Sequence, residues 1–244
     1  MHNVAIFGAT SAIAEAVARR LIKPEARFYL VGRDDERLAL VAADLAARGA
    51  QVQTQVADLV EVDAEGLVAE VFAALGVVDL ILIAYGLLPD QEACEKSLPT
   101  TLEAIAVNGT SQVALAMAAA AHLERQGGGT LAAITSVAAD RGRRSNYVYG
   151  AAKALVATFL AGLRHRFHGR GVRVVDIRPG FVDTPMTARF ENKGLLWSSP
   201  DRVAGNIVRA LEKGSGVYYV PGYWRAIMAV IRALPEGIFH RLPL

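Results

Sequence analysis

Cysteine is all but missing from this chain of 244 residues. Cys94 stands alone, so no intramolecular disulfide can form, no oxidising compartment is needed, and the thiol itself reads as a small buried apolar residue. An excess of charge is missing too. The formal net charge is +2 with 20% charged residues and no polybasic tract, which excludes a nucleic-acid partner on composition. Hydrophobic residues make up 53%, yet no uninterrupted apolar run approaches the roughly 18 to 20 residues that a membrane-spanning helix requires, so the excess belongs in a core. No leader with a positive, an apolar and a small-residue region precedes "NVAIF", which points to the cytoplasm. Internal repeats, low-complexity segments and Pro/Gly/Ser-rich linkers are lacking, and at this length one larger α/β domain is expected rather than two small ones.

What is present is alternation. Short apolar runs, "NVAIF", "RFYLVG", "VQTQV", "DLILIA", "TLAAITS", "VRVVDIRP" and "GVYYVPG", are separated by segments with apolar residues at helical spacing. "LILIA" is apolar at consecutive positions, as expected of a parallel strand covered on both faces. The helical segment "DERLALVAADLAARG" stops at Gly49, and "SSPDRVAGNIVRALEKG" carries Ser199 as cap, Pro200 in its first turn and Gly214 at its end. This pattern predicts a doubly wound parallel sheet.

In such sheets ligands bind beyond the carboxyl ends of the strands, and the first strand-to-helix turn aims a helix N-terminus at phosphate. "FGATSAIA" occupies that turn. Gly8 lies where the chain must turn sharply, whereas Ala12 and Ala14 stand where glycine usually permits close approach; a methyl group is the smallest addition there. Taken alone, the loop is equally an ordinary βα turn.

The spacing of Gly8, Ala12 and Ala14 resembles the phosphate loop of the short-chain dehydrogenases/reductases, with Phe7 in place of the usual Thr, and the resemblance extends through nearly the whole chain. Asp58 in "VADL", "AYG" at Ala84 to Gly86 in place of Asn-Ala-Gly, Asn108 in "AVNGTS", Ser136 in "ITSVA", Tyr149 and Lys153 in "YGAAK", and "RPGFVDTP" from Arg178 to Pro185 follow in the family's order. The resemblance implies a single Rossmann-type domain with a seven-stranded parallel sheet and helices on both faces, over 1–222, followed by an amphipathic tail, 223–244. It implies a catalytic set of Asn108, Ser136, Tyr149 and Lys153. Cofactor contacts are implied at Gly8, Thr10, Ser11, Ala12 and Ile13 in the loop, at Arg33, Asp58 and Leu59 after the second and third strands, and at Ala84, Tyr85 and Gly86 after the fourth. Tyr149, Lys153, Pro179, Gly180, Val182 and Thr184 complete the cofactor contacts, and no metal is expected.

The chemistry suits these residue types. Reduction of a carbonyl needs a proton donor at the oxygen, where negative charge develops, and Tyr149 can be that donor. A phenol titrates near ~10, and a cation beside it lowers that value. Lys153, four residues on in a helix, shares the face of Tyr149. Ser136, at a strand's carboxyl end, can hydrogen-bond the substrate oxygen. By resemblance Asn108 holds a water that connects Lys153 to solvent. Each residue also has a plainer reading: a surface Tyr and a solvated Lys, a strand-end cap, and an Asn that bonds back to its own helix. Tyr147 is no rival, because the residue four on is Ala151. Arg141, Arg143 and Arg144 in "DRGRRSN" form either an anion site or a solvated loop.

Gly32 occupies the place where NAD-preferring members carry an acidic residue, and Arg33 follows, so NADP(H) is the expected cofactor; NAD(H) is allowed if Asp34 or Asp35 reaches the ribose. Within the family, "YVYGAAKA", "RPGFVDTPMT" and "YVPGYWR" look most like the keto-reductase subunit of polyprenyl-phosphoryl-ribose 2-epimerase-type enzymes, which implies a keto sugar on a lipid phosphate; 3-oxoacyl chains or small ketones are the alternative, and a non-catalytic NAD(P)-binding regulator is the rival of another class. A homodimer or homotetramer is implied by the family. In the tail, Trp224, Ile227, Met228, Ile231 and Leu234 fall on one helical face that ends at Pro235, fit for a membrane surface, a subunit interface or a flap over the substrate site.

Overall fold

The computed structural model describes residues 1–191 and 193–242. Seven strands, β1 Asn3–Phe7, β2 Arg27–Gly32, β3 Gln51–Val56, β4 Leu80–Ile83, β5 Gly129–Ile134, β6 Val172–Pro179 and β7 Gly216–Val220, form one all-parallel sheet in the order β3-β2-β1-β4-β5-β6-β7. All seven runs read from the sequence are strands. The order reverses between β1 and β4, and that reversal leaves a crevice at their carboxyl ends.

Strand side chains alternate between faces, and this alternation builds two cores. Val4 and Ile6 of β1 join Leu30 and Leu82 beneath helices α1 Ala12–Leu21, α2 Asp35–Ala47 and a C-terminal helix, Pro200–Lys213. Ala5 and Phe7 point the other way, into a core with Ile81 and Ile83 under α3 Ala64–Leu75 and two long helices, Ser111–Gln126 and Tyr147–Arg166. Between α3 and those long helices come α4 Gln91–Lys96 and α5 Leu98–Ile105, so Ser111–Gln126 is α6, Tyr147–Arg166 is α7 and Pro200–Lys213 is α8. Edge strand β3 lacks full two-sided cover: Val56 is 51% exposed, and the polar "QVQTQV" suits that position.

The helix ends follow the sequence. Ser199 accepts the Arg202 N–H at 3.3 Å, Pro200 opens α8 and Gly214 closes it at φ +89°. Cys94 is buried in a small cluster with Ala104 and Val148. Leu98–Gln126, which joins α5 and α6 through a π-helical turn, is long and apolar enough to cross a membrane, but 56% of its most apolar window is buried inside the fold, as befits a core helix.

The tail is helical as α9 Trp224–Ala233, stopping before Pro235, with a short α10 Glu236–Phe239 that the sequence pattern did not announce; its last two residues, 243–244, lie outside the described residues. The apolar face, read as fit for a membrane surface, a subunit interface or a flap over the substrate site, is turned inward onto the protein's own fold. Trp224 is 3% exposed and Met228 is wholly buried, against Val137, with Ile227, Ile231 and Tyr219 around them. Arg141 fastens the tail by donating to the carbonyls of Ile231 at 2.7 Å and Leu234 at 2.6 Å, and its guanidinium lies over the Phe239 ring. Trp224→Ala is expected to destabilise the protein by ~3–5 kcal/mol in urea denaturation, the cost of emptying a large buried aromatic site. A loss below ~1 kcal/mol would show that the tail is not docked in solution.

Candidate active site

A cavity of about 710 Å3 crosses the carboxyl ends of β1 and β4 at the reversal. Gly8 turns the chain out of β1 at φ +84°, and a Cβ built on it would lie 2.5 Å from Tyr85 Cβ, so this turn admits only glycine. Ser11 caps α1 with no side-chain hydrogen bond to the helix, which leaves the first N–H groups of α1 without that partner, and Thr10, Ser11, Ala12 and Ile13 line the cavity beside them.

At one end of the cavity stand Arg33, directly after β2, and Arg37 in the first turn of α2. Arg37 donates from Nη2 to the Thr10 carbonyl at 3.0 Å, so this cation is tied to the loop. Sequence reasoning passed over Arg37; its signal was its place in the first turn of the helix that follows Arg33. Asp34 accepts the Arg37 N–H at 3.0 Å as the cap of α2, which commits one of its oxygens. Asp58 and Leu59 line the wall after β3, and the Asp58 carboxylate accepts the Val60 N–H at 2.9 Å.

Beyond β4, Ala84, Tyr85 and Gly86 border the cavity. Tyr85 donates from its hydroxyl to Ser111 at 2.9 Å, and its carbonyl accepts from Gln112 at 2.7 Å. Asn108 alone among the expected site residues does not line the cavity. It is wholly buried in the π-helical turn Ala106–Thr110, where Nδ2 donates to the Ala104 carbonyl and Oδ1 accepts the Leu87 N–H, both at 3.0 Å. The back-bond to the helix is thus real, and the same side chain also pins the loop after Gly86; a Cβ on Gly86 would meet its oxygen at 2.7 Å.

Ser136, Tyr149 and Lys153 do converge on the cavity. Ser136 follows β5 and caps a short 3-10 turn, Val137–Asp140, by accepting the Ala138 N–H at 3.1 Å. Tyr149 and Lys153 extend from successive turns of α7. Burial pushes the Tyr149 phenol up to about 12, with the Ser136 hydroxyl pulling the other way. The lowering expected from Lys153 is not found. The Lys153 ammonium instead donates to the Ile134 carbonyl at 3.0 Å and to Gln112 Oε1 at 3.3 Å, and burial drives it down to about 7 against the pull of Asp176. Gln112, fully buried, was missed; it lies four residues past Asn108 and so faces the same way.

Pro179, Gly180, Val182 and Thr184 close the far wall after β6. Arg178, which opens that segment, points behind it: Nε and Nη2 donate to Asp176 at 2.9 and 2.7 Å, and Nη1 pairs with Asp140, which also accepts from the Tyr219 hydroxyl at 2.8 Å. At Gly180 a Cβ would fall 1.9 Å from Trp224, so glycine there is what admits the tail.

A doubly wound parallel sheet with a glycine turn aimed into the crevice at its order reversal defines the dinucleotide-binding class of α/β proteins. Within that class, residues 2–194 match the short chain dehydrogenase family, and the chain belongs to it as an oxidoreductase. It is 37% identical over 243 residues to an uncharacterised oxidoreductase of Streptomyces coelicolor, covering 99% of this chain and 96% of that one. It is 38% identical over 242 residues to an uncharacterised oxidoreductase of Mycobacterium tuberculosis, with 98% and 96% covered. Among solved structures it is similar to a Beutenbergia cavernae protein assigned as an NAD(P) dependent gluconate 5-dehydrogenase with bound NADP, at 28% identity and TM-score 0.80 over 92% of this chain and 97% of that one.

The Lys153 value carries a sign for stability. Between about 7 and its ordinary value near 10.5, the unfolded chain holds a proton that the folded chain lacks, so folding stability rises with pH over that window. Relative to Lys153→Met, the wild type is expected to gain on the order of 1–2 kcal/mol in urea denaturation between pH 7 and 9. A difference that stays constant with pH would overturn the assignment of a depressed ammonium.

Proposed function

We propose that this protein is an NADP(H)-dependent reductase that converts a carbonyl to a secondary alcohol, or runs the reverse, with Tyr149 as general acid and base. The observation that carries this reading is the convergence of Ser136, Tyr149 and Lys153 on the same cavity as the glycine turn. The residues fit a dinucleotide. Gly8 leaves a turn that a side chain would fill, α1 presents its N-terminus, and Arg33 and Arg37 stand together where a 2′-phosphate needs cations. When bound, NADP(H) supplies or accepts the hydride. Ser136 holds the substrate oxygen, Tyr149 gives it a proton, and Lys153, held by Gln112 Oε1 and the Ile134 carbonyl, supplies the cation one helical turn from Tyr149.

The presence of both Tyr149 and Lys153 favours this reading over a non-catalytic nucleotide sensor. The far end of the cavity is lined by Leu87, Val107, Phe181, Met186, Phe190 and Trp197, with Phe181 and Trp197 stacked at 5.4 Å. That lining supports a substrate with an apolar body or a sugar ring to lay on an aromatic face, as a keto sugar on a lipid phosphate has. The Streptomyces and Mycobacterium relatives are oxidoreductases without an assigned substrate, and this reading rests on the chain's own motifs and cavity. Peripheral contact with anionic lipid would fall to the outer side of the tail, where Arg225, Val230, Arg232 and Ile238 are exposed. Association into a dimer or tetramer would cover Leu98, Leu102 and Leu155 on α5 and α7, which are 69%, 56% and 42% exposed.

Tyr149→Phe is expected to lower turnover of NADPH with a ketone panel by about 10²- to 10⁴-fold while leaving NADPH affinity unchanged. Near-normal turnover would sink the reading. Arg33→Ala and Arg37→Ala should each weaken NADPH relative to NADH by ~1.5–3 kcal/mol in fluorescence titrations, the worth of a charge-assisted hydrogen bond. Equal weakening of both cofactors would show that neither arginine reads the phosphate.

A further inference from the structure

Three arginines follow Ser136, and the fold treats them differently. Arg141 is consumed by the tail, through the carbonyls of Ile231 and Leu234 and the Phe239 ring. Arg144 is exposed. Arg143 is half-buried and lines the same cavity as Tyr149 and the aromatic wall. Its Nε is buried and, among the described residues, has no hydrogen-bond partner. Among the described residues its Nη2 meets only the Met228 thioether, at 3.3 Å, and a thioether is a weak acceptor. The nearest carboxylate in influence, Asp140, is already shared by Arg178 and Tyr219. Glu103, the acidic residue on the α5 side of the cavity, is exposed.

A guanidinium drawn out of water without an anion is costly, and burial pushes this one below its usual value. Among the described residues its side chain has only the Met228 thioether as a hydrogen-bond partner, so no protein anion bonded to it offsets that cost. From this placement we infer that Arg143 is the anchor for an anionic oxygen group, a phosphate ester or a carboxylate, on the carbonyl substrate. The inference deepens the reductase reading and rests on it for the word substrate. A planar donor fork in a low-dielectric pocket binds such a group bidentately and sets which end of the substrate faces Tyr149.

The test uses full-length protein saturated with NADP+, so that Arg33 and Arg37 are occupied, and isothermal titration with n-hexyl phosphate, hexanoate and hexanol. The apolar portion is shared and the head group varies. Hexyl phosphate or hexanoate is expected to bind about 10- to 100-fold more tightly than hexanol, the tighter of the two naming the head group, and Arg143→Gln is expected to bring the three together. Arg143→Lys should keep part of the preference. Met228→Leu, which removes the thioether and keeps the bulk, should leave the preference intact and so separates tail packing from anion binding. Equal affinities in the wild type, or a preference that survives Arg143→Gln, would overturn the assignment. Tyr149→Phe separates this inference from the reductase reading. If it turns over normally while the anion preference depends on Arg143, the catalytic reading fails and the anion site stands; if it is inactive and no preference exists, the reverse holds.

Discussion

The site is organised around one buried charge. Lys153 is 3% exposed, and an ammonium at that depth must be answered by oxygen atoms. The Ile134 carbonyl at the end of β5 and the Gln112 side chain answer it. Gln112 in turn holds the Tyr85 carbonyl, and Tyr85 is the residue against which Gly8 packs. Asn108, one turn before Gln112, holds the Leu87 N–H. The phosphate-type turn, the end of β4, the end of β5 and the π-helical turn are therefore fixed by contacts that lead back to Lys153. Asn108 in the π-helical turn and Gln112 four residues on, at the start of α6, are both wholly buried and reach inward from one continuous helix.

The two alanines in the loop lose their strangeness in this frame. Of the three small residues, only Gly8 has a left-handed backbone and a neighbour that a Cβ would strike. Ala12 and Ala14 lie inside α1, where alanine is the best helix former, and Ala14 is fully buried in the core shared with α8. The substitution adds helix propensity and packing where glycine would have contributed neither, and the one position with a steric demand for glycine keeps it.

Sequence reasoning reached what is local or periodic. The strands, the caps of α8 and the Gly8 turn depend on residues near one another in the chain, and each stands as read; Tyr149 and Lys153 extend from successive turns of α7, but the lowering of the phenol expected from that spacing is absent. What it missed depends on partners far away. Arg37 is a surface helix residue until its bond to Thr10 across 27 positions is known, and Gln112 is an ordinary polar residue until Lys153 arrives 41 positions later. The tail shows the limit best. Trp224, Ile227, Met228 and Ile231 share the apolar face that was read for them, and Leu234 falls just past the helix in extended backbone, but a helical projection gives a direction around one axis and not the object that lies there. That object is the turn after Ser136 together with β7.

This docking makes the tail part of the site's far wall. Trp224 sits on the bare backbone of Gly180 and against Phe181 edge-on at 5.2 Å, and Phe181 stacks on Trp197. Arg141 and Arg143, on the loop between Ser136 and Tyr149, both touch α9 or the residues just after it. The segment that follows β6, the loop that carries the candidate anion anchor and the C-terminal helix therefore form one packed unit. What the described part of the tail packs against is the aromatic wall and Arg143, while Lys153 is held by Gln112 of α6 and the Ile134 carbonyl at the end of β5, so under the proposed reading the tail bears on substrate placement. Change in the tail is for this reason a route by which such a fold can reshape the wall of its cavity without touching the contacts that hold Lys153.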